Sequence, residues 1–207
     1  MSRIPFVLAV SDRRGGDARD WADWCAALAE AGVDSLQVRE RELADRELLD
    51  RIEAARAAFP PPNLLLVNRR FDLALAGGAD GVHLPSDGLP ARAVRASVGA
   101  GFRVGRSTHH REEIEALAAE GAVDYAVFGP IFATPSKRDI LEPRGLDELA
   151  AACAAGLPVI AIGGVDSANA GEVLAAGAAG IAAIRAVAEP VSARALVAAA
   201  HAARARA

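Results

Sequence analysis

Several groups of side chains in this sequence could hold charge or move protons. The run Phe128-Gly129-Pro130-Ile131-Phe132-Ala133-Thr134-Pro135-Ser136-Lys137 carries the only lysine in a chain whose Lys and Arg total 23. A compact ammonium donates in several rotatable directions where guanidinium offers a planar fork, so Lys137 beside the hydroxyls of Thr134 and Ser136 suits phosphate oxygens. A Schiff-base amine is the alternative, weakened because a Pro135-containing loop gives little burial to lower the lysine pKa. A second group is Gly105-Arg106-Ser107-Thr108-His109-His110. Imidazole is matched to proton transfer near neutral pH, which makes His109 the acid/base candidate, with Ser107 grouped with it and a helix-capping role as the plain alternative. His110 begins the following helix, and His201 is a solvated helix residue. His83, in Val82-His83-Leu84-Pro85, is either a hydrogen-bonded interior histidine or a site residue.

Two further places concern anions. Gly163-Gly164 follows an apolar run, and Ile184-Arg185 ends another. Glycine amides and helix N-termini can cradle a phosphate there, although a tight turn would also use glycine. Gln37, Arg39 and Arg41 share one strand face by the period of two. An amide and two guanidiniums are costly to bury without an anion or a partner such as Glu40, and rim salt bridges are the other reading. Asn68 and Arg69 form another polar tip on an apolar strand.

These residues need a frame that brings strand ends together. Short aliphatic runs alternate with alanine-rich helical patterns, which argues for parallel βα units. The predicted strands are Ile4 to Val10, Asp34 to Arg39, Leu64 to Asn68, Gly81 to Leu84, Arg103 to Ser107, Tyr125 to Phe128, Val159 to Ile162 and Gly180 to Ile184. The predicted helices are Ala18 to Ala31, Ala44 to Ala58, Phe71 to Ala76, Pro90 to Val98, His110 to Glu120, Leu146 to Ala155, Ser167 to Ala175 and Ser192 to Arg206. Asp17 and Asp166 are the expected caps. Helices hand over to strands through Ala31-Gly32-Val33-Asp34, Gly78-Ala79-Asp80-Gly81, Gly121-Ala122-Val123-Asp124 and Gly177-Ala178-Ala179-Gly180, each with glycine suited to a left-handed cap. Eight units in 207 residues predict one (β/α)8 barrel spanning residues 1–207, with its chemistry just beyond the strand C-termini. A doubly wound open sheet is the alternative, and Ser11-Asp12-Arg13-Arg14-Gly15-Gly16 lacks its glycine fingerprint.

Composition narrows the partners. A net charge of −4, dispersed arginines and 4% aromatic residues leave nucleic acid without a basic patch or stacking platforms. Cys25 and Cys153 sit in predicted helices without metal-ligand spacing, and read as small core hydrophobes in a reducing cytoplasm. The apolar stretch at the start is too short for a membrane span, and no targeting segment is visible. The alanine-rich helices are compatible with a homodimer.

Together, Gln37-Val38-Arg39-Glu40, Val67-Asn68, Asp80-Gly81-Val82-His83-Leu84, Gly105 to His109, Phe128 to Lys137 and Ile162-Gly163-Gly164 resemble the thiamine phosphate synthase and TenI superfamily over nearly the whole chain. The resemblance implies a (β/α)8 barrel that handles a thiazole phosphate. Its phosphate would sit on Gly163, Gly164, Ile184 and Arg185, and its remaining contacts would come from Gln37, Arg39, Arg41, Asn68, His83, Thr134, Ser136 and Lys137. Synthases of this superfamily join hydroxymethylpyrimidine pyrophosphate to the thiazole phosphate, using Mg2+ on carboxylates that include one immediately after the Asn68 position. Here that residue is Arg69, and Leu84-Pro85-Ser86-Asp87 leaves Asp87 as the matching second carboxylate. The chain resembles TenI-type tautomerases more closely at these points. The resemblance therefore implies a metal-free proton shift, by His109 with Ser107, that aromatises a thiazole carboxylate phosphate. The synthase is the alternative, and a non-catalytic binder of a thiamine intermediate is the third.

Overall fold

The computed structural model describes residues 4–12, 18–134 and 142–206. Eight parallel strands close into a barrel in sequence order: β1 Val7–Val10, β2 Ser35–Val38, β3 Leu64–Asn68, β4 Gly81–Leu84, β5 Arg103–Thr108, β6 Tyr125–Phe128, β7 Val159–Ile162 and β8 Gly180–Ala183. The ring is sealed by β1 against β8, with Leu8 paired to Ala182. Most strands are buried at every residue, the signature of a sheet covered on both faces. One core fills the barrel, with Leu8, Val10, Leu66, Tyr125, Val127, Ile160 and Ala182. The other packs the sheet against the helices.

Those helices are α1 Ala18–Glu30, α2 Asp45–Ala58, α3 Phe71–Ala76, α4 Ala91–Ser97, α5 Arg111–Glu120, α6 Gly145–Cys153, α7 Ala170–Ala175 and α8 Pro190–Arg204. The recurring glycines do cap in the left-handed region, with φ of +86° at Gly32, +69° at Gly78, +67° at Gly121 and +100° at Gly177. The expected cap at Asp166 is not the one used. α7 starts at Ala170 after Asn169, because Asp166 forms its own turn by accepting from the Ala168 amide at 2.9 Å. Asp17 lies outside the described residues. Cys25 is fully buried, whereas Cys153 is only partly so, and burial pushes its thiol up to about 11.

The aspartates of the handover phrase have a further task. Each directly precedes an even-numbered strand, and its carboxylate accepts an amide from the start of the strand before it. Asp34 takes Val7 at 2.9 Å and Phe6 at 3.2 Å, Asp80 takes Leu65 at 2.7 Å, and Asp124 takes Val104 at 2.7 Å. Arg56 and Arg95 pair with the latter two at 2.7 and 2.6 Å. Ahead of β8 the residue is Ala179. There Gly180 substitutes close backbone approach, since a Cβ would lie 2.5 Å from the Pro5 carbonyl.

These three carboxylates fix the axial stagger of β1/β2, β3/β4 and β5/β6 from the bottom of the barrel. Asp124→Ala would leave the Val104 amide without its acceptor and remove the anionic partner of Arg95, which keeps the Ala122 and Phe102 carbonyls. The expected cost is about 2 kcal/mol by urea unfolding. Arg46→Ala, which removes the exposed Arg46–Asp50 pair, is expected to change stability by less than about 0.5 kcal/mol.

Candidate active site

At the C-terminal end of the barrel the inward-facing residues divide into two halves. Strands β2 to β5 contribute Gln37, Asn68, His83 and Ser107. Gln37 Nε2 donates to Asn68 Oδ1 at 3.3 Å, and His83 Nε2 lies 2.8 Å from Ser107 Oγ. On the other side Val10, Val127, Ile162 and Ile184 belong to or pack on the interior apolar cluster. A ligand entering from above meets hydrogen-bonding groups on one side and hydrocarbon on the other, as suits a flat ring with a polar edge.

Just above Ser107, the His109 ring nitrogen Nδ1 sits 2.6 Å from the Gly129 carbonyl. A carbonyl only accepts, so Nδ1 carries the proton and Nε2 keeps its lone pair in the neutral ring. Glu113 Oε2 accepts from the His109 amide at 2.6 Å and the His110 amide at 3.3 Å, fixing the turn into α5. His109 is partly exposed, as a proton carrier at the mouth requires. His83 is buried, and burial, reinforced by the Arg106 and Arg39 charges, lowers its pKa to about 3.

The loops after β6 and β7 run side by side. The Ile131 amide donates to Ile162 O and that of Phe132 to Gly163 O, both at 2.9 Å. Gly163 and Gly164 adopt φ of +100° and +70°, and a Cβ on either would fall within 2.7 Å of Pro130 or Phe132. Glycine is therefore required there by the neighbouring loop as well as by the turn. Arg185 Nη2 reaches Thr134 Oγ1 at 3.2 Å, joining the β8 end to the β6 loop. The Ile184 side chain packs on the interior cluster, which leaves its backbone to serve an anion. Ser136 and Lys137 lie outside the described residues.

The row expected on β2 separates. Arg39 pairs with Asp12 at 2.8 Å, and Glu40 is buried with Ser11 Oγ donating to it at 2.6 Å. Arg41 lies beyond the strand, in a cleft of about 260 Å³ shared with Val38, Leu43, Asn68, Arg69 and Arg70. Arg69 adopts φ +65°, unusual outside glycine, and its Nη2 meets both Asp87 oxygens, at 2.5 and 2.7 Å. That guanidinium holds the Asp87 carboxyl below its usual range. Arg106 secures the same loop by donating to Leu89 O at 2.6 Å and Ser86 O at 2.9 Å.

A divalent cation needs several free oxygen ligands. Among the described residues at this mouth, Asp12 faces Arg39, Glu40 faces Ser11 and Asp87 faces Arg69, and no group of three or more His, Cys, Asp or Glu could hold a metal. The described residues do not fit a magnesium site.

Reading the residues singly left several features of the site unseen. The apolar half-ring is one, because Val127 and Ile162 look like any core residue. The tether from Arg106 is another, and so is Glu113, although its spacing from His110 is that of a capping box.

The fold is a closed (β/α)8 barrel with the candidate site residues at its C-terminal mouth. The family described as thiamine monophosphate synthase matches residues 7–187. A putative thiamine-phosphate synthase of Geobacter sulfurreducens is 42% identical, covering 90% of this chain and 89% of its own. The thiamine-phosphate synthase of Methanoculleus marisnigri is 41% identical over 87% and 86%. Among solved structures, the thiamine phosphate pyrophosphorylase of Pyrococcus furiosus superposes with a TM-score of 0.84 at 26% identity over 96% of both chains. A 3-hexulose-6-phosphate synthase, TM-score 0.72 at 22% identity over 95% of this chain and 99% of its own, shares the fold. The chain belongs to the thiamine monophosphate synthase family. Its relatives' names side with the synthase alternative over the tautomerase expectation. No helix among the described residues is long and apolar enough to cross a membrane.

The His83 environment has a consequence for acid stability. In the unfolded chain its imidazole takes a proton below about 6.5, while the folded one stays neutral down to about 3. The unfolded state binds more protons in that window, so stability is complete above it and falls as pH drops through it. Urea unfolding across a pH series should show a shallower acid slope for His83→Leu than for wild type.

Proposed function

We propose that this chain is a cytoplasmic enzyme of thiamine biosynthesis that binds a thiazole phosphate at the barrel mouth and joins it to hydroxymethylpyrimidine pyrophosphate. The observation that carries this reading is identity above 40% to proteins named thiamine-phosphate synthase, over nearly nine tenths of both chains. The thiazole phosphate would rest on Gly163, Gly164 and Arg185, with Thr134 alongside and the ring's hydrocarbon edge against Val127 and Ile162. In the reaction the bond from the pyrimidine methylene carbon to the diphosphate oxygen breaks, diphosphate leaves with the electron pair, and the thiazole nitrogen bonds to that carbon. Among the described residues, Arg41 and Arg69, which line one cleft beside Asn68, would receive the leaving group. Asp87 competes weakly, because an exposed ion pair is worth about 0–1 kcal/mol and an arriving dianion can displace it. No step is assigned to a metal.

A second reading is favoured by one observation: the Arg69–Asp87 pair stands where the resemblance puts metal-binding acids. Here the reaction is a prototropic shift in a thiazole carboxylate phosphate. His109 Nε2 removes a proton from a ring carbon and returns it at the exocyclic carbon. The Gly129 carbonyl stabilises the imidazolium formed in between. Arg41, free of the Asp12 pairing that holds Arg39, would face the substrate carboxylate.

One set of assays separates the two. With hydroxymethylpyrimidine pyrophosphate and thiazole phosphate, the first reading expects thiamine phosphate, and His109→Ala should retain the rate within about threefold. Absence of thiamine phosphate with and without Mg2+, combined with aromatisation of the carboxylated thiazole that His109→Ala slows by about 100-fold, would replace the first reading with the second. Thiazole phosphate binding without either turnover would support a non-catalytic binder.

A further inference from the structure

The layer beneath the mouth contains two side-chain atoms that are buried and unpartnered among the described residues, His83 Nδ1 and the Tyr125 hydroxyl. Their rings stack with centroids 6.2 Å apart and planes 28° from parallel. Tyr125 occupies this place because position 105 is glycine, where a Cβ would fall 2.2 Å from the phenol ring. The imidazole is thus pressed from one side, with Nε2 held 2.8 Å from Ser107 Oγ.

A neutral imidazole carries one N–H and one lone pair, and burial keeps this ring neutral. A buried N–H without an acceptor is the rarer and costlier defect, whereas an under-used acceptor is better tolerated. With the proton on Nδ1, the layer would hold two unpartnered donors, that N–H and the Tyr125 O–H. With the proton on Nε2, the orphans are one acceptor and one donor, and Nε2–H spends its hydrogen on Ser107. The serine oxygen then has one of its two lone pairs occupied from below, and its own hydrogen is left for the mouth, where Ser107 is partly exposed.

We infer that His83 is a positioning residue: by donating from Nε2 to Ser107 Oγ it occupies one lone pair of the serine oxygen and frees the serine hydrogen, so that Ser107 serves as a donor toward the ligand. The ligand atom opposite Ser107 is therefore a hydrogen-bond acceptor, such as a phosphoryl or carboxylate oxygen or an unprotonated ring nitrogen. A ligand group that can only donate leaves the serine hydrogen unused and meets only the one lone pair still free on Ser107 Oγ. The inference rests on thiazole phosphate binding at the mouth, and holds for either reaction considered above.

The test has two independent arms. In the full chain labelled with 15N-histidine, and with His83 assigned by its loss in His83→Gln, the ring should show the Nε2–H tautomer unchanged between about pH 5 and pH 8. A proton on Nδ1, or titration near neutrality, overturns the proposal. In calorimetry with thiazole phosphate, Ser107→Ala and His83→Leu should each weaken binding about tenfold, and the double variant no more than either. His83→Gln, whose side-chain amide can donate in place of Nε2–H, should recover most of the loss. Additive losses, or no recovery with Gln, mean that His83 serves only packing and overturn the proposal. If the wild-type chain does not bind thiazole phosphate, the proposed function falls, while the tautomer measurement still decides the assignment of His83.

Discussion

A closed parallel barrel built from strands mostly four residues long has little tolerance for axial slip. Four residues span roughly 13 Å, so a shift of one residue moves a quarter of each strand out of its ladder and reverses which side chains face inward. The described chain controls this through the carboxylates of Asp34, Asp80 and Asp124, each of which reads the start of the preceding strand. Fixing the bottom of each pair fixes its top. That is why Asn68 pairs with His83 across β3 and β4, while the separate β4/β5 ladder brings Ser107 to the His83 ring.

Much of this was legible in the sequence because it is local. Short, mainly apolar runs of four or five residues and glycine caps give β3, β4, β6 and β7 the bounds read from the residues alone. The strand and helix ends that moved did so by a few residues, as at α7, where Asp166 closes a turn ahead of the helix. The handover phrase was visible, but the role of its aspartate was not. Its donor partners are amides that sequence order places 15 to 28 residues away. The site was legible in the same uneven way. Gln37, Asn68, Ser107 and His109 do converge, since strand ends converge in any barrel. Arg39 leaves the row for Asp12, which no periodicity announces.

The two interior-facing histidines show how position sets chemistry for one side chain. His83 is sealed under the mouth between Tyr125 and Ser107, so the charged form is too costly and the ring acts as a fixed dipole. His109 lies one layer higher, partly open to solvent, with Nδ1 directed to a carbonyl and Nε2 outward. The lower histidine can orient a neighbour, and the upper one can exchange protons.

Arginine sets much of the charge at the rim. Magnesium would require carboxylates free to ligate, and among the described acids Asp12 and Asp87 are each engaged by an arginine and Glu40 by a serine. The resulting surface still favours anions, because Arg41 and Arg69 open on the same cleft. Guanidinium neutralises phosphate or carboxylate with directional hydrogen bonds, and it cannot polarise a leaving oxygen as a bound dication does. A rim of this kind binds diphosphate and carboxylated substrates with similar ease. The choice of reaction then passes to what lies below it: whether His109 Nε2 reaches a ring proton, or the apolar half-ring holds the thiazole nitrogen in line with the departing diphosphate.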